Sequence, residues 1–182
     1  MDISALGHSS FKIKGKSATV VSDPYEAKIG LKFPKVEADI LTISHDHFDH
    51  NAFGSVGGGP FVITGPGEYE IKGVSIVGVS SFHDDKNGEE RGKNTLFNIQ
   101  IDGLNVAHLG DLGQAELTNQ QIEELGNVDI LFIPVGGHFT IDAPTAAKIV
   151  SQLEAKIVIP MHYQEVGLDI PELEGVEKFL KE

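Results

Sequence analysis

Asp39-Ile40-Leu41-Thr42-Ile43-Ser44-His45-Asp46-His47-Phe48-Asp49-His50 is an apolar run that ends in three histidines and two aspartates within six residues. A continuous apolar run of this length reads as a short strand covered on both faces. Such a strand delivers its following loop to one edge of a sheet. Neutral imidazole and carboxylate are ligand types that zinc, manganese and iron accept. The stretch therefore reads as the mouth of a metal site, and a metal with an open position is a hydrolytic tool. A nonspecific metal-binding surface is the plainer alternative, but such tracts are repetitive and rarely trail a buried strand.

Outward from this run, the N-terminal half reads mostly as strand. Phe11–Lys14 and Ala18–Val21 flank a turn at Gly15-Lys16, and Phe61–Thr64 and Tyr69–Lys72 flank Gly65-Pro66-Gly67. Val74–Ser81, Thr95–Ile101 and Asn105–Leu109 continue the pattern, with Asp102-Gly103 as a hairpin signal. The C-terminal half alternates strand and helix. Thr118 to Gln121 forms a capping box and Gly126 closes the helix it opens. Asp142 caps a second helix with an apolar face of Ala143, Ala146, Ala147, Val150 and Leu153. Asp129–Pro134 and Lys156–Pro160 read as strands, and Leu173, Val176, Phe179 and Leu180 as a terminal amphipathic helix. Asp84 to Asn94, the most polar stretch, reads as one mobile surface loop. Strands first and alternation later suggest two sheets with helices outside. No boundary stands out, so residues 1–182 read as one domain.

Composition narrows the chemistry. The 182 residues contain no cysteine, which excludes disulfides, thiolate metal sites and a Cys nucleophile. A net charge of −13 argues against nucleic acid as a partner. It does not forbid an anionic small-molecule substrate, because a metal inverts the local field. No run approaches membrane-spanning length, and Met1-Asp2-Ile3-Ser4 begins no signal segment, so a cytoplasmic protein without membrane partners is expected. There is no Gly-x-Ser-x-Gly elbow, no calcium loop and no complete phosphate-binding loop.

His45-x-His47-x-Asp49-His50 resembles the defining motif of the metallo-β-lactamase superfamily. Further elements fall in the family's order: Asp23 at the end of an early strand, His83 after a middle strand, Asp111 in His108-Leu109-Gly110-Asp111, and His162 after Pro160-Met161. His108 to Gly113 and Pro160 to Tyr163 look like the small branch similar to the ascorbate-phosphate lactonases. The resemblance implies an α/β (α+β) fold, a four-layer αββα sandwich of two mixed β-sheets with helices on the outer faces. It implies two divalent ions, zinc first, with manganese or iron as alternatives. His45, His47 and His83 would hold one, Asp49, His50 and His162 the other, and Asp111 would bridge. Asp49 would also be catalytic, passing a proton to the leaving group, and Asp23 would orient a ligand histidine. The implied activity is hydrolysis of a small ester, lactone or phosphoester.

Plainer readings stand beside these. His83 beside Asp84-Asp85 can be a loop histidine, and Asp111 a turn residue. His162 can be a half-buried strand-end histidine. His8, in Gly7-His8-Ser9-Ser10, is explained by turn geometry or by a substrate contact. His138, in Gly136-Gly137-His138, follows a buried strand in a loop where substrate contacts tend to be placed. His108 reads as a satisfied core histidine. The alternative functions are a non-catalytic metal-binding module and a di-iron redox relative on the same fold. The latter carry Glu where this chain has His47 and require a flavin domain. A homo-oligomer built through the terminal helix is compatible with the sequence.

Overall fold

A computed structural model describes all residues from Met1 to Glu182. In chain order the strands of the first half are β1 (Asp2–Gly7), β2 (Ser10–Lys14), β3 (Thr19–Ser22), β4 (Val36–Glu37), β5 (Ile40–Thr42), β6 (Val56–Gly57) and β7 (Phe61–Ile63). There follow β8 (Gly67–Ile71), β9 (Val74–Phe82), β10 (Lys93–Ile101), β11 (Leu104–His108), α1 (Asn119–Leu125), β12 (Ile130–Pro134), α2 (Ala143–Leu153) and β13 (Ile157–Met161). The first sheet has the order β1-β2-β3-β5-β7 and the second β13-β12-β11-β10-β9-β8, with β4 and β6 as a separate small ladder. Both large sheets mix parallel and antiparallel pairs. The fold is the expected α/β sandwich.

Strand alternation builds the layers. Ile13, Val20, Ile40 and Ile63 of the first sheet meet Ile76, Phe97, Ile99, Val106 and Phe132 of the second in one buried core. Phe11 and Phe132 stack across it at 3.9 Å between ring centroids. One residue on, Val21 and Leu41 face the other side of the first sheet, under Val56, Phe33 and Val36. Leu96, Ala107, Leu131 and Ile133 face the outer side of the second sheet, under Leu125 of α1 and Ala146, Ile149 and Leu153 of α2. Both α-helices lie on that side. The outer face of the first sheet is covered by the β4–β6 ladder and its flanking loops.

Helix ends follow the local code. Thr118 and Gln121 complete the capping box of α1, and the Asp142 side chain accepts from the Thr145 N–H at the start of α2. The buried stripe of α2 is Ala143, Ala146, Ile149 and Leu153, so Ile149 takes the place expected for Ala147. Asp102 and Gly103 both have positive φ, as a two-residue hairpin turn of this hand demands.

Two expectations fail. The terminal amphipathic helix does not form; only a 3-10 turn at Phe179–Lys181 is present. Pro171 and Gly175 interrupt the segment, and its backbone bonds elsewhere: the Glu174 N–H donates to Gly136, and its carbonyl accepts from Gln164. The helix expected to offer an oligomer contact is therefore missing. Residues 84–92 form a surface loop, but a fastened one, while Lys93 and the buried Asn94 already belong to β10. The buried Asp84 carboxylate accepts from the N–H groups of Lys86, Gly88, Glu90 and Arg91. No helix is long and apolar enough to cross a membrane.

Candidate metal centre

Strand direction gathers the site. β1, β3 and β5 run one way in the first sheet, as do β9, β11, β12 and β13 in the second. His8, Asp23, His45 to His50, His83, Asp111 and His162 all follow the carboxyl ends of these strands. Sharp turns at strand ends aim several of them. His8, Asp23, His138 and His162 have φ of 52°, 43°, 53° and 52°, a left-handed conformation that non-glycine residues adopt at some cost. Glycine permits close approach where the second sheet supplies its ligands. A Cβ on Gly113 would lie 2.3 Å from the His83 carbonyl carbon, and one on Gly136 would lie 2.1 Å from the His162 oxygen.

The side chains converge in two sets, His45, His47 and His83 in one and His8, Asp49, His50 and His162 in the other. Within each set the ligand atoms lie within 4.8 Å of one another. His45 Nε2 is 3.1 Å from His47 Nδ1. Two nitrogens on one tetrahedral zinc, bonded at about 2.0–2.1 Å, stand about 3.3 Å apart. Asp111 lies between the sets. Its Oδ2 is 3.3 Å from His83 Nε2, 3.7 Å from His45 Nε2 and 3.1 Å from His162 Nε2, and its Oδ1 is 3.1 Å from His50 Nε2. His50 Nε2 and Asp111 Oδ1 are buried with no hydrogen-bond partner. Buried orphans of this kind are costly, and a cation between them satisfies both. The donor set and its spacing fit divalent metal ions.

A buried carboxylate orients the set. The Asp23 side chain accepts from Ser44 N at 2.8 Å, Ser44 Oγ at 2.6 Å and His50 Nδ1 at 2.8 Å. His45 Nδ1 in turn lies 2.9 Å from Ser44 Oγ, whose own proton goes to Asp23. These bonds aim the Nε2 atoms of both histidines at the centre.

Electrostatics follow from burial against neighbours. Burial, helped by the His50 charge, lowers His45 to about 3 and keeps it neutral. Burial opposes ionisation of Asp111, but His162 and His50 outweigh it and hold that carboxyl well below its usual range. Burial likewise opposes the low value of Asp23, which His108 and His50 secure. His50 is pushed the other way. Burial disfavours its cation, yet Asp111 and Asp49 raise it well above the usual imidazole value.

The remaining histidines separate. His8 is buried, with Nε2 3.3 Å from Asp49 Oδ2 and its ring 4.4 Å from that of His162, so it belongs with the second set rather than on an open surface. Burial, with His162 beside it, lowers it to about 4. His108 is a buried histidine set edge-on against the stacked pair of Phe11 and Phe132. Its Nε2 donates to the Ser9 carbonyl at 2.8 Å and its Nδ1 accepts from Gly110 N at 3.1 Å. His138 stands apart. It is exposed, packs edge-on against Phe139, and lines a neighbouring hollow with Asp84, Asp142 and Thr145 that shares His83 and Arg91 with the centre.

The centre opens into a cleft of about 420 Å³ lined by His47, Asp49, His83, Asp111 and His162, with Phe48, Arg91, Phe139, Asp169 and Ile170 as its other walls. Of those other walls only Phe48, inside the histidine motif, is marked by its sequence context. For the rest the one signal is that Arg91 is the chain's single arginine.

The sequence profile of the beta-lactamase superfamily domain matches residues 2–162. The chain belongs to the beta-lactamase superfamily. A UPF0173 metal-dependent hydrolase of Thermococcus onnurineus is 32% identical over 188 residues, covering 87% of this chain and 82% of that one. Another, from Korarchaeum cryptofilum, is 30% identical over 207 residues, covering 99% and 89%. A crystal structure of a metallo-beta-lactamase superfamily protein from Thermotoga maritima matches with TM-score 0.83 and 40% identity over 98% of this chain and 84% of that one. This superfamily member is a metal-dependent hydrolase, an enzyme whose His/Asp cluster fits divalent metal ions.

Proposed function

We propose that the protein hydrolyses a small ester, lactone or phosphoester at a centre of two divalent ions, zinc first and manganese or iron as alternatives. One observation carries this reading: a single carboxylate, Asp111, faces both histidine sets within 3.1–3.7 Å. His45, His47 and His83 would hold one ion, Asp49, His50 and His162 the other, with Asp111 shared. Such a pair supplies a nucleophile from water near neutral pH and polarises a carbonyl or phosphoryl oxygen.

The chain's own residues do the rest. Asp23 and Ser44 fix the imidazoles of His50 and His45. Asp49 receives the proton of the attacking water and passes it to the leaving group. His8, neutral and 3.3 Å from its Oδ2, steadies that carboxylate. Phe48, Phe139 and Ile170 give the cleft an apolar wall that excludes water from the scissile bond. The cleft volume suits a small-molecule substrate. We place the reaction in the cytoplasm.

Metal analysis of the purified protein, with turnover of 4-nitrophenyl acetate, γ-butyrolactone and bis(4-nitrophenyl) phosphate, tests the reading. Two ions per chain and chelator-sensitive turnover that Asp49→Ala abolishes are expected. One ion or none, or turnover unaffected by chelation, refutes it.

A further inference from the structure

Arg91 is the only arginine in a chain with 27 acidic residues, yet its guanidinium makes no ion pair within 4 Å among the salt bridges of the fold. Its side chain makes one hydrogen bond, from Nη2 to the His138 carbonyl at 3.3 Å. It is half-buried, lies 5.9 Å from the Phe139 ring centroid, and lines the same cleft as His47, His83 and Asp111. A guanidinium has five N–H donors in a planar fork that matches carboxylate or phosphate oxygens in pairs. Most of that fork is unused here.

The arginine is held where it is. Its backbone N–H donates to Asp84 Oδ2 at 2.7 Å, and Asp84 directly follows His83 in the chain. The loop that bears the cation is thus fastened to the strand end that supplies a ligand of the centre. Asp169, on the same cleft, is exposed and forms no pair with Arg91.

We propose that Arg91 forms an anion subsite, so that the preferred substrate carries a carboxylate or phosphate group apart from the bond that is cut. This rests on the hydrolase reading above and names the substrate class. The anion seats on the Arg91 fork, the apolar part of the substrate lies against Phe139, and the scissile group faces Asp111. In a protein of net charge −13, a lone unpaired cation at the cleft gives an anionic group a favourable place to enter.

Kinetics on matched substrates test it. Metal-loaded wild type, Arg91→Gln and Arg91→Lys are assayed with 4-nitrophenyl acetate and with mono-4-nitrophenyl succinate, which carries a free carboxylate. The kcat/KM ratio of charged to neutral ester should favour the charged ester in wild type and fall about tenfold or more in Arg91→Gln, the worth of a charge-assisted hydrogen bond. Arg91→Lys should recover part of it, because the charge returns without the fork. A ratio that stays within about twofold across the variants overturns the proposal. Calorimetric binding of succinate and of inorganic phosphate to the same proteins gives a readout without turnover. Weaker binding of either anion by Arg91→Gln supports the subsite, and the tighter of the two identifies the group it takes. Equal binding overturns it. If neither ester is cleaved but Arg91→Gln still loses anion binding, the hydrolytic reading fails while the subsite stands.

Discussion

Replacing Asp84 with Asn tests whether the loop after His83 is built around one carboxylate. In the native chain Oδ1 accepts from Lys86 N at 2.9 Å and Gly88 N at 2.7 Å, and Oδ2 from Glu90 N at 3.0 Å and Arg91 N at 2.7 Å. Asparagine keeps one carbonyl oxygen and puts an NH2 where the other stood, so two N–H donors face a donor. Two hydrogen bonds to a charged acceptor, each about 1.5 kcal/mol, amount to about 3 kcal/mol. For a chain of this size that lowers Tm by about 6–12 °C. Burial pushes the Asp84 carboxyl up, but the N–H groups of Arg91, Gly88, Lys86 and Glu90 prevail and lower it from 3.8 to about 2. A depressed folded-state value means the stabilisation is complete above pH 3.8 and fades as pH falls through about 2. Urea unfolding of both proteins at several pH values measures this. The gap should be full at pH 7 and shrink below pH 4. A variant that melts within about a degree of wild type at pH 7, or a gap that widens on acidification, refutes the reasoning.

Four further outcomes follow from other parts of the fold. Asp23→Asn should weaken metal binding about 10–100-fold in chelator competition, since it loses the acceptor that orients His50; unchanged affinity would remove Asp23 from that role. Gly113→Ala forces a Cβ to 2.3 Å from the His83 carbonyl carbon, so bound metal per chain should drop along with Tm. Phe132→Ala opens a cavity where its ring stacks on Phe11 and should cost about 3–5 kcal/mol in urea unfolding. Metal loading near pH 7 in weak buffer should release about one proton per chain from His50, which its carboxylate neighbours keep charged; a pH-indicator titration reads it.

The sequence carried some parts of this protein better than others. The run from Asp39 to His50 announced itself, because ligand types and a buried strand coincide there within twelve residues. Asp23, His83, Asp111 and His162 have weaker local contexts, and their order along the chain, with strand-end positions and the short motifs around Asp111 and His162, pointed to them. Their convergence depends on strand direction, which pairing decides and composition does not. Arg91 looked like one more charge in a polar loop. Its interest lies in lacking a partner, a property of space and not of sequence. His138 had the setting of a binding residue, yet its ring turns onto Phe139. The 173–180 segment has a helical apolar period, but Gly175 and tertiary backbone bonds prevailed over it.

The candidate ligands are divided between sheets that share no strand: His45, His47, Asp49 and His50 leave the first, and His83, Asp111 and His162 the second. An ion seated among them is a rivet through the rim of the sandwich. Its affinity becomes resistance to unzipping, since the sheets cannot part without giving it up. Mineral supply would then govern how long each copy of the enzyme survives as well as how fast it works.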